Sequence, residues 1–161
     1  MLTVLQEQLA EAHGLTMAAA ETVERVDSRV ADPELGRRLD RLRLDASEAR
    51  GRCLEAERSY GEELAAEMLA HANTVAERAA DMAGVWFKAG TSPLAAWSFL
   101  AMGEAGELSS WSALCSLAER EGELAELAAW GVEVQRRHLE LVLDAVPRLA
   151  AQFQPAAPRW G

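Results

Sequence analysis

The stretch FLAMGEAGELSSWSALCSLAEREGELAELAAWGVEVQRRHLELVLD, residues 99–144, decides how the chain folds. Its first part places Leu100, Leu108, Trp111 and Leu114 at spacings of three and four, continuing from Trp97. Its second part does the same with Leu124, Leu127, Val134, Leu141 and Val142. That is helical rather than alternating periodicity. Gly122, in EREGEL (119–124), separates the two runs, so they read as two helices folded back on each other. Two acids fall on the apolar face of the first helix. Glu104 is one turn from both Leu100 and Leu108, and Glu107 is one turn from Trp111. On the second helix Gln135 and His138 are three apart and share a face.

The same pattern continues toward the N-terminus. ADPELG (31–36) predicts a turn with Asp32 as N-cap and Pro33 as the first helical residue. SYGEE (59–63) is a softer break. In KAGTSPLAAW (88–97), Gly90 ends one helix, Ser92 caps the next and Pro93 starts it. Five helical segments of about 25 to 30 residues result. The first carries Leu5, Leu9, Ala12, His13, Thr16, Val23 and Val26 inward. The second carries Leu35, Leu39, Leu42, Ala46, Ala49 and Cys53, and the third Leu64, Met68, His71, Val75, Met82 and Trp86. The prediction is an all-α fold: a four-helix bundle of two antiparallel hairpins, with an additional connecting helix at 62–88. One domain spans 1–150. Pro147 is expected to end or kink the last helix, leaving 151–161 as a flexible tail.

A faint internal repeat accompanies the hairpins. DPELGRRL and EGELAELA open the second helix of each alike, and an offset of about 88 brings Thr16 onto Glu104 and Arg50 onto His138.

Composition narrows the function classes. The formal charge is −10, and an acidic surface repels phosphate, which argues against nucleic acid and anionic membrane as partners. Cys53 and Cys115 fit no zinc or redox spacing and read as two buried thiols. The start, MLTVLQEQLAEAHG, carries no basic n-region, and no apolar run reaches about 18 residues, so the expectation is a soluble cytoplasmic protein. A homodimer through an exposed helix face is the expected assembly.

The polar residues on apolar stripes are His13, Thr16, His71, Glu104, Glu107, Gln135 and His138, and they include all three histidines. Each needs a partner, because burying an unpaired charge costs several kcal/mol or more. Carboxylate and imidazole together suit iron, manganese or zinc. The candidate metal ligands are therefore Glu104, Glu107 and His138, with His13 as a further one. The plainer reading is a buried Glu104–His138 hydrogen bond and a Glu107 that reaches water. Asp45 and Glu48, in DASEARG, read as a solvated acid face, and His71 as structural.

The stretch from 99 to 144 resembles the ferritin-like superfamily, and within it a small five-helix bacterial branch of unknown function; the resemblance covers about residues 1–150. It implies a di-iron or di-manganese site built from a Glu in the first helix of each hairpin and a Glu-x-x-His in the second. Glu104 and His138 match that pattern. Gln135 stands where the last Glu belongs, Thr16 where the first Glu belongs, and Arg50 or Gly51 where the other His belongs. No catalytic residue is assigned. Three functions remain open: a non-catalytic structural or interaction protein with an incomplete di-metal site, linked to stress by the resemblance alone; an iron- or manganese-binding protein with oxidase or iron-handling activity at Glu104, Glu107 and His138; or a small-ligand- or partner-binding bundle with no redox role. Were Arg50 to point inward, it would replace the metal's charge beside Glu104.

Overall fold

A computed structural model of the chain describes residues 1–153. These form five helices and no strand: α1 (Val4–Asp27), α2 (Pro33–Arg58), α3 (Glu62–Trp86), α4 (Pro93–Leu117) and α5 (Glu123–Ala151). The caps explain the boundaries. Thr3 accepts from the Gln6 amide while the Gln6 side chain accepts from the Thr3 amide, a reciprocal capping box. Asp32 and Ser92 accept from Glu34 and Ala95, each ahead of a proline at the first helical position. Gly90 and Gly122 turn the chain with φ of 89° and 52°, a region costly for residues with a Cβ.

Short turns make successive helices run in opposite directions. α1 packs on α2 and α4, and α5 packs on α4 and α2, so these four close a ring. α3 joins the hairpins and lies outside the ring, mainly against α1. The two backbones come close there: a Cβ on Gly14 would sit 2.4 Å from the Ala72 carbonyl oxygen. Because α3 has a neighbour on one side only, its predicted stripe is only partly covered. Met68 and Ala72 are buried, but Met82 is 62% and Trp86 41% exposed.

The core has two dry halves. One contains Leu9, Ala12, Ala49, Cys53, Met68, Trp111, Leu114, Leu127 and Val132. The other contains Val23, Val26, Leu35, Leu39, Leu42, Trp97, Leu100, Val142 and Leu149. Between them every helix of the ring turns polar. His13 and Thr16 lie between Ala12 and Val23, Asp45 between Leu42 and Ala49, Glu104 and Glu107 between Leu100 and Trp111, and Gln135 and His138 between Val132 and Val142. At the far end Arg148 of α5 binds Asp32 and Glu34 at the start of α2, and Arg38 reaches Asp144 at 2.9 Å.

The structure overturns one of the two expectations for Pro147, that it ends the last helix. α5 runs through it to Ala151. Proline leaves the Leu143 carbonyl without its helical donor, but Leu143 and Pro147 both face solvent, where water replaces that donor. Most of the predicted tail, residues 154–161, lies outside the described residues.

Close packing makes two glycines critical. A Cβ on Gly131 would lie 2.1 Å from the buried Trp111 ring. Gly131→Ala and Gly14→Ala are expected to lower stability by about 1–3 kcal/mol in urea denaturation, because neither the ring nor the α3 backbone has space to yield.

Candidate functional site

The polar layer joins residues from all four ring helices. His138 is its centre. Its Nδ1 lies 3.2 Å from Glu104 Oε2, and its Nε2 lies 3.1 Å from Asp45 Oδ2. The imidazole is thus held between a carboxylate of α4 and a carboxylate of α2. Asp45 Oδ2 also accepts from Arg41 Nε at 2.9 Å, one turn earlier on the same helix. One turn along α4 and α5, Gln135 Nε2 donates to Glu107 Oε2 at 2.9 Å. Across the ring, His13 Nδ1 lies 2.8 Å from Glu57 Oε1. Thr16 turns back on its own helix and donates to the Ala12 carbonyl.

All of these except Arg41 are buried. Among the described residues, no lysine or arginine side chain is buried with them. The charge balance therefore rests on protons. Burial pushes the Glu107 carboxyl well above its ordinary range, and the neighbouring Glu104 charge pushes it further; the hydrogen bond from Gln135 offsets only part. Both effects favour the protonated, neutral form of Glu107. For His138 burial works against the charged ring, but the hydrogen bonds and charges of Glu104 and Asp45 outweigh it and raise its affinity for a proton. With both ring nitrogens protonated, each can donate to the carboxylate beside it. The Cys53 thiol lies in the same interior. Burial and the Glu57 and Glu107 carboxylates push its pKa upward, so it is a thiol and a poor nucleophile or ligand.

Several expectations are corrected. Glu107 does not reach water but is 3% exposed. His13 is likewise interior, as the sequence allowed. Asp45 was expected on a solvated face; it is 5% exposed and completes the His138 clamp, whereas its neighbour Glu48 is exposed and bridges to Arg52. Arg50 is exposed, so it takes no part in the layer and replaces no charge beside Glu104. His71 is half-buried on α3, away from the ring interior. Asp45 and Glu57 were the residues missed. Their signals were present: Asp45 lies three residues after Leu42 and four before Ala49, and Glu57 lies one turn beyond Cys53.

The donors spend themselves on one another. His138 uses opposite edges of its ring on two different carboxylates, which turns those carboxylates away from a common point. Among the described residues, no group of three or more His, Cys, Asp or Glu side chains is placed to hold a metal ion. The residues present therefore do not fit the paired-metal centre that the resemblance implies. Among the described residues, four buried side-chain atoms have no hydrogen-bond partner within the chain: His13 Nε2, Glu57 Oε2, Gln135 Oε1 and Trp111 Nε1. A surface depression near Arg52, Arg58, Tyr60, Glu121 and Glu126 is lined by none of the layer's residues. No helix among the described residues is long and apolar enough to cross a membrane. Comparison with protein-family models, with curated proteins and with solved structures finds no match.

Two outcomes follow from the geometry. Asp45→Asn leaves a buried imidazole short of a counter-charge and is expected to cost about 3–5 kcal/mol, while Glu48→Gln costs under about 0.5 kcal/mol. Chemical denaturation of both variants at neutral pH separates the clamp from an exposed acid face.

The second outcome concerns pH. A Glu107 pKa above 4.5 and a His138 pKa above 6.5 mean that the folded state binds more protons than the unfolded one. The contribution of Glu107 is complete below pH 4.5 and shrinks as pH rises toward its folded value. That of His138 is complete below pH 6.5 and is lost as pH rises through its folded value. Glu107→Gln mimics the protonated acid. It is expected to match the parent at pH 4.5 and to be more stable than the parent at pH 8. Equal stability of the two at pH 8 would show that Glu107 is not held neutral.

Proposed function

We propose that the chain is a ferritin-like helical bundle whose would-be metal layer is closed by its own hydrogen bonds and ion pairs, and that it serves as a non-catalytic structural or interaction protein. One observation carries this reading: both ring nitrogens of His138 are engaged by carboxylates, Glu104 on one side and Asp45 on the other. A metal-binding imidazole keeps one nitrogen for the ion and gives the other to an outer partner. Here both are used internally.

The topology supports the ferritin-like part. Two antiparallel hairpins joined by a long connection, with polar side chains projecting to mid-bundle from all four ring helices, is how such bundles are built. The chemistry of the layer supports the non-catalytic part. Burial raises the pKa of its thiol and favours the neutral form of Glu107, and Gln135 brings no charge to its end. A cytoplasmic setting and a role in stress rest on the sequence and the resemblance.

A second reading has one observation in its favour. His13 Nε2, Glu57 Oε2 and Gln135 Oε1 are buried without partners, and nitrogen and oxygen donors of this kind are ones that iron or manganese takes. Elemental analysis of the purified protein, followed by addition of Fe(II) in air, distinguishes the readings. The expected result is no stoichiometric metal and no oxidation above the buffer rate. Metal at one ion per chain that disappears in His13→Ala would replace the first reading with the second.

A further inference from the structure

α4 is built the opposite way round from a surface helix. Its only charged residues are Glu104 and Glu107, and both point inward. Its solvent side is formed by Ser98, Met102, Gly103, Ala105, Gly106, Ser109, Ser112, Ala113, Ser116 and Leu117, without one charge. A quarter of all residues in the chain are charged, so a 25-residue helix with a wholly neutral outer face is a departure that calls for a cause. A surface helix normally carries charged and polar residues on its outer side, and here the polar ones are the four serines alone. Here α1 and α5 cover the inner part, and only a few contacts with α3 add to that.

Two further observations bear on what covers the rest. Gly103 and Gly106 stand in mid-helix, where glycine costs about 0.5–1 kcal/mol relative to alanine. A Cβ at either would meet nothing within 4 Å, so nothing inside the chain requires glycine there. The large side chains on this face are also exposed: Met102 is 50% and Leu117 44% accessible.

We infer that the outer face of α4 is a self-association surface, on which α4 of a second copy of this chain packs antiparallel across a two-fold axis. The arrangement of large and small residues fits such an axis placed between Gly106 and Ser109. It sets Met102 opposite Ala113, Leu117 opposite Ser98, and Gly106 opposite Ser109, so each large side chain meets a small one and the backbones approach at the centre. Charge favours the same face. At a net −10, two copies meeting through an acid-rich face repel each other, whereas this face brings no like charges together.

The area is modest. A helix face of 20 residues, 98–117, covers roughly 30 Å by 10 Å. Met82, Val85 and Trp86 extend it onto α3, since Trp86 packs on Phe99 at 5.5 Å and Phe99 is one turn from Met102. Together they offer on the order of 700 Å² per chain, near the ~800 Å² per partner of a standard interface.

Sedimentation velocity of the full chain from ~5 to ~200 µM tests this, a range chosen for micromolar dissociation constants. The expected result is a concentration-dependent rise toward the mass of two chains. Gly106→Arg and Ser109→Arg, both at exposed positions, are expected to hold the protein monomeric with an unchanged helical circular dichroism spectrum. Leu69→Arg, on the outer side of α3, is expected to leave the dimer intact. A parent chain monomeric at ~200 µM overturns the inference and leaves the face to a different protein. A dimer indifferent to Gly106→Arg also overturns it and puts the contact on another face.

Discussion

An imidazole buried between two carboxylates constrains everything around it. His138 lies 3.2 Å from Glu104 and 3.1 Å from Asp45, and through them α5 is tied at once to α4 and α2. Neither acid is able to leave without stranding a charge in the interior, where an unpaired ion costs several kcal/mol. The apolar halves on either side supply the larger burial energy, but leucine and alanine pack acceptably in more than one register. A slip of one turn between α4 and α5 would part His138 from Glu104 and Gln135 from Glu107 together, stranding polar groups on both helices. The layer thus selects one register out of those the apolar halves tolerate. Polar residues at single core positions of coiled coils act in the same way.

The layer also offsets much of its acidic charge with its own side chains and protons. Four buried acids, Asp45, Glu57, Glu104 and Glu107, would be intolerable if all were ionised and unpaired. The chain meets the demand in three ways. Arg41 reaches in from the surface to Asp45, two histidines each sit within hydrogen-bond distance of an acid, and burial favours the proton on Glu107. Two metal ions would bring at least four positive charges to the same volume, and the neutral Gln135 would leave them short of a carboxylate. The proton on Glu107 and the ions would compete for the same oxygens.

Helix positions were legible in the sequence because proline and glycine punctuate them. Asp32-Pro33 and Ser92-Pro93 mark starts that the caps reproduce, and Gly90 and Gly122 mark turns whose positive φ demands glycine. The partnership of Glu104 with His138 was legible too, because α4 and α5 are joined by a short turn that leaves one antiparallel register. The α2 side was not. The repeat aligned Arg50 with His138, yet α2 presents Leu42, Asp45, Ala49, Cys53 and Glu57 inward and turns Arg50 out. An offset along the chain gives the order of residues but not the rotation of a helix about its axis, and one residue of error turns a side chain by about 100°. Asp45 was lost for a related reason. Its run RLDASEAR holds four charged residues against three apolar ones, so the stripe passing through it was faint.

α4 explains why amphipathicity alone describes this protein poorly. The usual rule puts charge outside and carbon inside. α4 reverses it, with its two acids at 2% and 3% exposure and a neutral, glycine-bearing surface outward. The inward acids are tolerable because α2 and α5 bring His138, Asp45 and Gln135 to the same level. The outward neutrality is the counterpart of that choice: a helix whose ionic groups all serve the interior has none left to hold its outer face in water. Within one chain, three helices cannot enclose a fourth on all sides while a fifth lies on the far side of α1. The remaining face of α4 is closed most economically by the one partner sure to be present at matching concentration and with a matching shape, a second α4.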